Sequence, residues 1–329
     1  MRGQHTGHTA PQNLTAPGLS ASAQGCWGRL FCTFCWHSKI FFRCPLWTNN
    51  KAVNSALALL GMRTNTIKRK LAAGEAVIGS WLALGDITSA RLMARAGWDY
   101  LCLDMEHIPI DWAKAEVIFG MVADAGCVPL CRVPSGSTEN IKRALDAGAW
   151  GIVAPMVNTV EQAQAIVDAC YYPPLGLRSV GGGSHYLSFG ASEAEYKACA
   201  NQEVLCVVML ESPEGLASAP AICALQGVDA ALVGPADLRA QLTRTLPGGR
   251  QPTEQEFEGA LQQALAAGAA AGRPVGLHTF STAECTARVA QGFRYLVMGS
   301  DAGLLSAAAA QAVAALGMQG RGQAGAAKY

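Results

Sequence analysis

The sequence predicts an α/β protein built on a (β/α)8, or TIM, barrel. From Glu75 to about Leu316, short apolar runs alternate eight times with helical patterns. The apolar runs are continuous, which is typical of strands buried on both faces of a parallel sheet. Eight strand–helix units within about 240 residues match the number of units and the length of this barrel. A doubly wound open sheet is the competing fold, but the chain lacks the glycine-rich dinucleotide fingerprint of that class.

The eight predicted strands are short and apolar, and several of them end in polar or ionisable residues. In chain order they are "AVIGSWLAL" (76–84), "YLCLDME" (100–106), "VPLCRVP" (128–134), "GIVAPMV" (151–157), "VLCVVMLE" (204–211), "DAALVGP" (229–235), "PVGLHTF" (274–280) and "RYLVMGS" (294–300).

A helix-like segment follows each strand, and several of these segments begin with a residue suited to capping a helix. The predicted caps are Asp111, Ser137, Thr159, Ser212, Thr253 and Ser281. Between the fourth and fifth units, the glycine-rich stretch "GLRSVGGGSHYLSFGASEAEYKACAN" is too long for a simple connection. It predicts a loop or lid over one face of the barrel.

The chain divides by composition into a leader (1–65), the barrel (66–316) and a flexible tail (317–329). Met1–Gly74 contains no Asp or Glu but nine Lys and Arg residues. A basic, acid-free, hydroxyl-containing leader resembles an organellar transit segment. A mistranslated or wrongly spliced extension and a genuine accessory module are the other interpretations.

The accessory-module interpretation depends on cysteines. Cys32 and Cys35 have the spacing of a zinc knuckle, but no second close pair accompanies them. The eight cysteines of the barrel region stand singly in apolar segments, which favours buried thiols in a reducing compartment. These are Cys102, Cys127, Cys131, Cys170, Cys199, Cys206, Cys223 and Cys285.

Charge and hydropathy argue against nucleic-acid and membrane partners. The formal net charge is +1, and 15% of the residues are charged. No apolar run reaches the roughly 18 residues needed to span a bilayer. We therefore expect a soluble protein in the cytoplasm or, if the leader is a transit segment, in the mitochondrial or another organellar matrix.

A barrel of this class carries its active site at the carboxyl ends of the strands. There the second strand ends in Asp104, Glu106 and His107, and the third ends in Arg132. A guanidinium at this position can clamp a carboxylate or ketone oxygen, or it can form a structural bridge with the nearby carboxylates. Because histidine side chains ordinarily titrate near neutrality, His107 is a candidate acid–base group.

Two further carboxylates end neighbouring strands. Glu211 follows seven apolar residues, and Asp237 follows the next strand along the chain. Two carboxylates together with water and substrate oxygens suit Mg²⁺ or Mn²⁺. The alternative is that each carboxylate caps a helix or pairs with a base.

Several motifs together resemble the HpcH/HpaI aldolases, which are class II pyruvate-dependent enzymes. The motifs are "GSWLALGDITSARLMARAGWDYLCLDMEH", "RVPSGSTENIKRALDAGAWGIVAPMVNTVEQAQ", "YYPPLGLRSVGGG" and "GVDAALVGPADL", and the resemblance covers about Thr66 to Leu316. It implies reversible cleavage of a 4-hydroxy-2-oxo acid to pyruvate and an aldehyde through a metal-stabilised enolate. The substrate would be a 2-keto-3-deoxy sugar acid or a hydroxy-oxo-diacid.

The resemblance also implies residue roles. Glu211 and Asp237 would hold Mg²⁺ or Mn²⁺, with Co²⁺ as a further candidate. Arg132 would bind the 2-oxo group and stabilise the enolate, and Asp104 would steady Arg132.

His107 would move protons with the help of Asp146, which relatives contribute across a subunit contact. The backbone of Gly234, Pro235 and Ala236 would meet the substrate carboxylate. Trp81 and His278 complete the predicted substrate-binding residues.

Two positions depart from the family pattern, and the resemblance also implies an assembly. Met209 stands where relatives commonly have glutamine, and His278 stands where many have an apolar residue. The family forms hexamers with an exchanged terminal helix, so a homo-oligomer is expected. The alternative functions are a related CoA-thioester lyase and a non-catalytic barrel with a zinc-binding N-terminal module.

Overall fold

The computed structural model describes residues 62–318. The leader interpretations, the Cys32–Cys35 zinc knuckle and most of the predicted tail lie outside these residues. Eight parallel strands, hydrogen-bonded in sequence order, close into a barrel in which β8 pairs with β1. The predicted (β/α)8 barrel is therefore confirmed.

The strands are slightly shorter than the predicted apolar runs. They are β1 (Val77–Leu82), β2 (Tyr100–Asp104), β3 (Val128–Arg132), β4 (Gly151–Ala154), β5 (Leu205–Met209), β6 (Ala230–Val233), β7 (Val275–Thr279) and β8 (Tyr295–Ser300). Glu106 and Glu211 accordingly lie just beyond β2 and β5, in the loops that lead to the next helices.

Twelve α-helices occur in the described part of the chain, and the six predicted capping residues all occupy N-cap positions. The helices are α1 (Thr66–Ala72), α2 (Ile87–Ala94), α3 (Trp112–Asp124), α4 (Thr138–Asp146), α5 (Val160–Cys170), α6 (His185–Ser188), α7 (Glu193–Glu203), α8 (Pro213–Ala224), α9 (Pro235–Leu242), α10 (Glu254–Ala271), α11 (Thr282–Ala290) and α12 (Asp301–Ala315).

Two features of the helices differ from expectation. The glycine-rich stretch after β4 is not an irregular loop, because it contains α6 and α7. It connects α5 to β5, so it lies towards the amino ends of the strands. A short helix, α9, also begins directly after β6, where the sequence predicts the end of a strand.

The hydrophobic core has two layers, one inside the barrel and one between the barrel and the helices. Tyr100 and Tyr295 stack in the barrel interior with their ring centroids 4.8 Å apart. Glycine is required beside them, because a Cβ on Gly79 would lie 2.5 Å from the Tyr100 ring and one on Gly276 would lie 2.8 Å from the Tyr295 ring. The two glycines thus make room for two large rings.

The eight cysteines of the barrel are free thiols, and all except Cys199 are buried. The prediction of single, buried cysteines is thereby confirmed for the described residues. Between Met62 and Met318 there is also no helix long and apolar enough to cross a bilayer.

Candidate active site

The ends of β2 and β3 hold a buried ion pair. Asp104 and Arg132 are partners in the strand register, and the Arg132 Nε and Nη2 atoms donate to the two Asp104 carboxylate oxygens at 2.9 and 2.6 Å. The Oδ1 atom of Asp104 also accepts the backbone N–H groups of Glu106 and His107, at 3.0 and 3.3 Å. One buried carboxylate therefore orients both the guanidinium and the loop that follows β2.

Glu106 lies between Arg132 and His107. Its Oε2 atom is 3.4 Å from the Arg132 Nη1 atom and 3.6 Å from the His107 Nε2 atom. Burial raises the pKa of Glu106, and the positive charge of Arg132 opposes that rise. The His107 side chain is half exposed, so its imidazole can exchange protons with solvent at the barrel mouth.

An aromatic wall also contacts Arg132. The guanidinium carbon lies 4.4 Å from the centroid of the Trp81 ring, within the range of a cation–π interaction. The ring of His278 meets Trp81 edge-on at 6.0 Å and lies 4.5 Å from the ring of Phe280. Burial, with a smaller contribution from the charge of Arg132, lowers the pKa of His278 to about 4.

Glu211 is buried with half of its carboxylate unsatisfied. Its Oε1 atom accepts the backbone N–H of Met156 at 2.8 Å, whereas Oε2 has no hydrogen-bond partner among the described residues. Burial raises the pKa of Glu211 to about 7; the Met156 hydrogen bond opposes this, and the negative charges of Asp237 and Glu106 add to it. In this setting a nearby cation would stabilise the ionised form of Glu211.

The position of the Glu211 carboxylate depends on two backbone features. Met156 donates from a left-handed conformation with φ at 54°, which is rare for a residue other than glycine. A Cβ on Gly234 would lie 2.1 Å from the Glu211 Oε2 atom, so only glycine allows this close approach. Sequence analysis missed Met156, because its residue type gives no signal of this backbone conformation.

Asp237 lies half-buried in the first turn of α9, which Gly234 begins without a side-chain cap. Pro235 occupies the first helical position, and its ring nitrogen carries no hydrogen. The backbone N–H groups of Ala236 and Asp237 have no acceptor within the helix and suit an anionic substrate group.

The donor set of the β5 and β6 ends fits a divalent cation. It offers an unpaired oxygen on Glu211 and a second carboxylate on Asp237 close enough to raise the pKa of Glu211. Within residues 62–318, no group of three or more His, Cys, Asp or Glu side chains forms a complete metal site. Any ion held here would take its remaining ligands from substrate or water.

Asp146 lies apart from the other predicted residues. It ends α4, which runs from the carboxyl end of β3 back towards the amino end of β4, so it occupies the opposite end of the barrel from His107. There its Oδ1 atom accepts a hydrogen bond at 2.8 Å from Nη2 of Arg178, whose side chain is fully buried. One chain alone does not bring Asp146 and His107 together.

Asp301 is a buried carboxylate at the same rim with a structural role. It accepts the backbone N–H groups of Ala83 and Leu84 at 2.7 and 3.2 Å and the hydroxyl of Ser89 at 2.7 Å. These bonds join the start of α12 to the loop after β1. Asp301 thus closes the seam between the first and last strands.

A separate cleft of about 530 Å³ lies at the amino end, where α1, α10 and α11 finish. Arg294 lines it and donates to the carbonyl oxygens of Gly74 and Val289, both at 3.0 Å. Helix carboxyl ends attract such cations, so this arginine caps helices and contributes nothing to the rim site.

The chain is similar to known aldolases over most of its length. The profile of the HpcH/HpaI aldolase/citrate lyase family matches residues 77–308. A hydroxypyruvate/pyruvate aldolase from Deinococcus radiodurans is 38% identical over 248 residues, which cover 75% of this chain and 87% of that protein. A 4-hydroxy-2-oxovalerate aldolase from Rhodococcus jostii is 39% identical over 246 residues, covering 74% and 92%.

A solved structure shares the fold. The crystal structure of an HpcH/HpaI aldolase/citrate lyase family protein from Burkholderia cenocepacia superposes with a TM-score of 0.70 at 35% identity. The match covers 77% of this chain and 99% of that one.

Proposed function

Because the chain belongs to the HpcH/HpaI aldolase/citrate lyase family, we propose that it is a metal-dependent enzyme that reversibly cleaves a 4-hydroxy-2-oxo acid to pyruvate and an aldehyde. At the coarser level, the chain is an aldolase, a carbon–carbon lyase. One observation carries the finer proposal: the unpaired Glu211 oxygen beside Asp237 shares the rim with the clamped guanidinium of Arg132.

Glu211 and Asp237 would hold the divalent cation, with Mg²⁺ or Mn²⁺ expected and Co²⁺ as a further candidate. When bound, the ion supplies positive charge that polarises the 2-oxo acid. The N–H groups at the start of α9 would bind the substrate carboxylate. These assignments place the 2-oxo acid end of the substrate at the β5 and β6 side of the rim.

Arg132 would stabilise the negative charge that develops on the 2-oxo oxygen. Although burial opposes its charged form, the hydrogen bonds and charge of Asp104, with the charge of Glu106, raise the pKa of Arg132. Its fixed position on the Trp81 ring means that little reorganisation is needed during the reaction. Asp104 acts through Arg132 and is a positioning residue.

In cleavage, a base accepts the proton of the C4 hydroxyl, and the C4–O bond becomes the aldehyde carbonyl. The electron pair of the C3–C4 bond passes to the enolate, and a proton then added at C3 gives pyruvate. His107 would take and return the proton, with Glu106 beside it. Asp146 could assist only from a second copy of the chain.

A Schiff-base mechanism requires a lysine, and the barrel interior offers none. The eight described strands contain no lysine, and neither do the loops that follow them at the rim. A covalent enamine is therefore disfavoured as the means of stabilising the carbanion.

The test is pyruvate release from a panel of 4-hydroxy-2-oxo acids with and without a chelator. We expect chelation to abolish release and added Mn²⁺ or Mg²⁺ to restore it. Asp237→Asn should lower kcat/KM by at least about 100-fold, because several kcal/mol of charge stabilisation depend on the ion.

Asp124→Asn is the matched control, since Asp124 is 72% exposed on α3 and far from the rim. Full activity in chelator, or in Asp237→Asn, would rule out the metal-dependent mechanism. Cleavage of a CoA thioester in place of the hydroxy-oxo acids would favour the alternative lyase.

A further inference from the structure

His278 is a polar group in the wall of the barrel mouth. Val275 and Leu277 pack in the outer layer of the core, so the alternation along β7 directs Gly276 and His278 into the barrel. The contacts of His278 with Trp81 and Phe280 fix its ring from two sides. This part of the wall is otherwise aromatic.

The Nε2 atom of His278 is buried and has no hydrogen-bond partner among the described residues. A buried polar atom without a partner costs about 1–3 kcal/mol. The 2-oxo acid end of the substrate is already assigned to β3, β5 and β6. His278 lies on β7 next to Trp81 of β1, so it faces the remainder of the substrate.

The protonation state of His278 restricts what it can bind. Its depressed pKa leaves it neutral at neutral pH, and the charged groups that affect it are Arg132 and Asp104. A neutral imidazole offers one donor and one acceptor. A substrate hydroxyl can donate a hydrogen bond to the imidazole or accept one from it. A second substrate carboxylate would form no ion pair with a neutral imidazole.

We propose that His278 selects substrates that carry a further hydroxyl group, in addition to the C4 hydroxyl that every 4-hydroxy-2-oxo acid has. This inference rests on the proposed aldolase function and narrows its substrate class. The hydroxyl can belong to the nucleophile, as in hydroxypyruvate, or to the aldehyde, as in glycolaldehyde. In both cases it forms a hydrogen bond to the imidazole in the aromatic wall.

The experiment measures kcat/KM for condensation in two matched pairs. One pair compares hydroxypyruvate with pyruvate, and the other compares glycolaldehyde with acetaldehyde. In the wild type, at least one hydroxylated member should be preferred. His278→Leu should reduce that preference about tenfold, the effect of losing one buried hydrogen bond.

His278→Gln retains a hydrogen-bonding side chain and should keep part of the preference. Phe280→Leu changes the same wall without removing a polar atom and should affect both members of each pair alike. If both ratios in His278→Leu stay within about twofold of the wild type, the inference is wrong. A ratio that falls equally in Phe280→Leu would also contradict it, since shape alone would then explain the loss.

Exchange of pyruvate methyl protons in D₂O, without aldehyde, separates this inference from the proposed function. If the wild type shows metal-dependent exchange but the kcat/KM ratios of the substrate pairs are unchanged in His278→Leu, only the proposed role of His278 is wrong. Absence of exchange in the wild type would overturn the proposed function itself.

Discussion

At the residue scale, the sequence predicts most of the residues of the site but not all of the contacts between them. The sequence predicts that the carboxylates at the end of β2 orient Arg132, and in the structure Arg132 Nη2 donates to Asp104 Oδ2 at 2.6 Å. The stacking of Arg132 on Trp81 and the left-handed backbone of Met156 were not predicted. The Trp81 contact joins strands that are remote in sequence, and the residue type of Met156 gives no signal of its backbone conformation.

His278 also makes the stability of the fold depend on pH. Its pKa is about 4 in the folded chain, whereas an exposed histidine titrates near 6.5. Below pH 6.5 the unfolded chain therefore binds a proton that the folded chain does not. The free energy of unfolding should fall by about 1.4 kcal/mol per pH unit from 6.5 down towards 4.

We expect His278→Leu to lose this contribution. Between pH 7.5 and 5.5, its free energy of unfolding should fall by about 1 kcal/mol less than that of the wild type, measured by urea denaturation. Phe280→Leu, which removes no titratable group, should retain the wild-type dependence. An equal fall in His278→Leu and wild type would show that His278 is protonated in the folded chain at pH 5.5.

At the element scale, the prediction succeeded for the strands and failed where glycine is abundant. Continuous apolar runs define strands buried on both faces, so all eight were located. The glycines between Gly176 and Asn201 predict a loop or lid, yet Ser192 and Glu195 form a capping box that begins α7. The Gly-Pro pair after β6 is likewise a helix start rather than the end of a strand.

The close approach of Gly234, after β6, to Glu211, after β5, gives a test of the proposed metal site. Gly234→Ala would place a methyl group 2.1 Å from the Glu211 Oε2 atom, so the carboxylate must move. We expect Mn²⁺ affinity, measured by calorimetry, to fall by at least about tenfold, and the overpacking to cost about 1–3 kcal/mol of stability.

Gly259→Ala in α10 is the control, because a Cβ there meets nothing within 4 Å. It should bind Mn²⁺ like the wild type and be slightly more stable, since alanine favours a helix over glycine. Unchanged Mn²⁺ affinity in Gly234→Ala would show that Glu211 Oε2 is not a ligand.

At the scale of the whole molecule, α12 packs on β1, β8 and α2 but leaves most of its surface uncovered by the described residues. Of the residues of α12, only Asp301 is buried, and the helix is rich in alanine and leucine. A helix with this composition gains stability only when its apolar surface is covered. If Asp146 has the role that the resemblance implies, it acts from a neighbouring copy, because it lies at the opposite end of the barrel from His107.

We propose that the protein is a homo-oligomer, for which the resemblance implies a hexamer, and that α12 contributes to the contacts. Leu305, 63% exposed on α12, is a suitable probe. Leu305→Glu should place a charge in the covered surface and shift the assembly towards smaller species in sedimentation velocity. Val117→Glu is the control, since Val117 is likewise an exposed apolar residue, 52% exposed, but lies on α3. If Asp146 acts across the contact, aldolase activity should fall together with the assembled fraction as Leu305→Glu is diluted. A monomeric wild type, or full activity in dissociated Leu305→Glu, would contradict a site shared between copies.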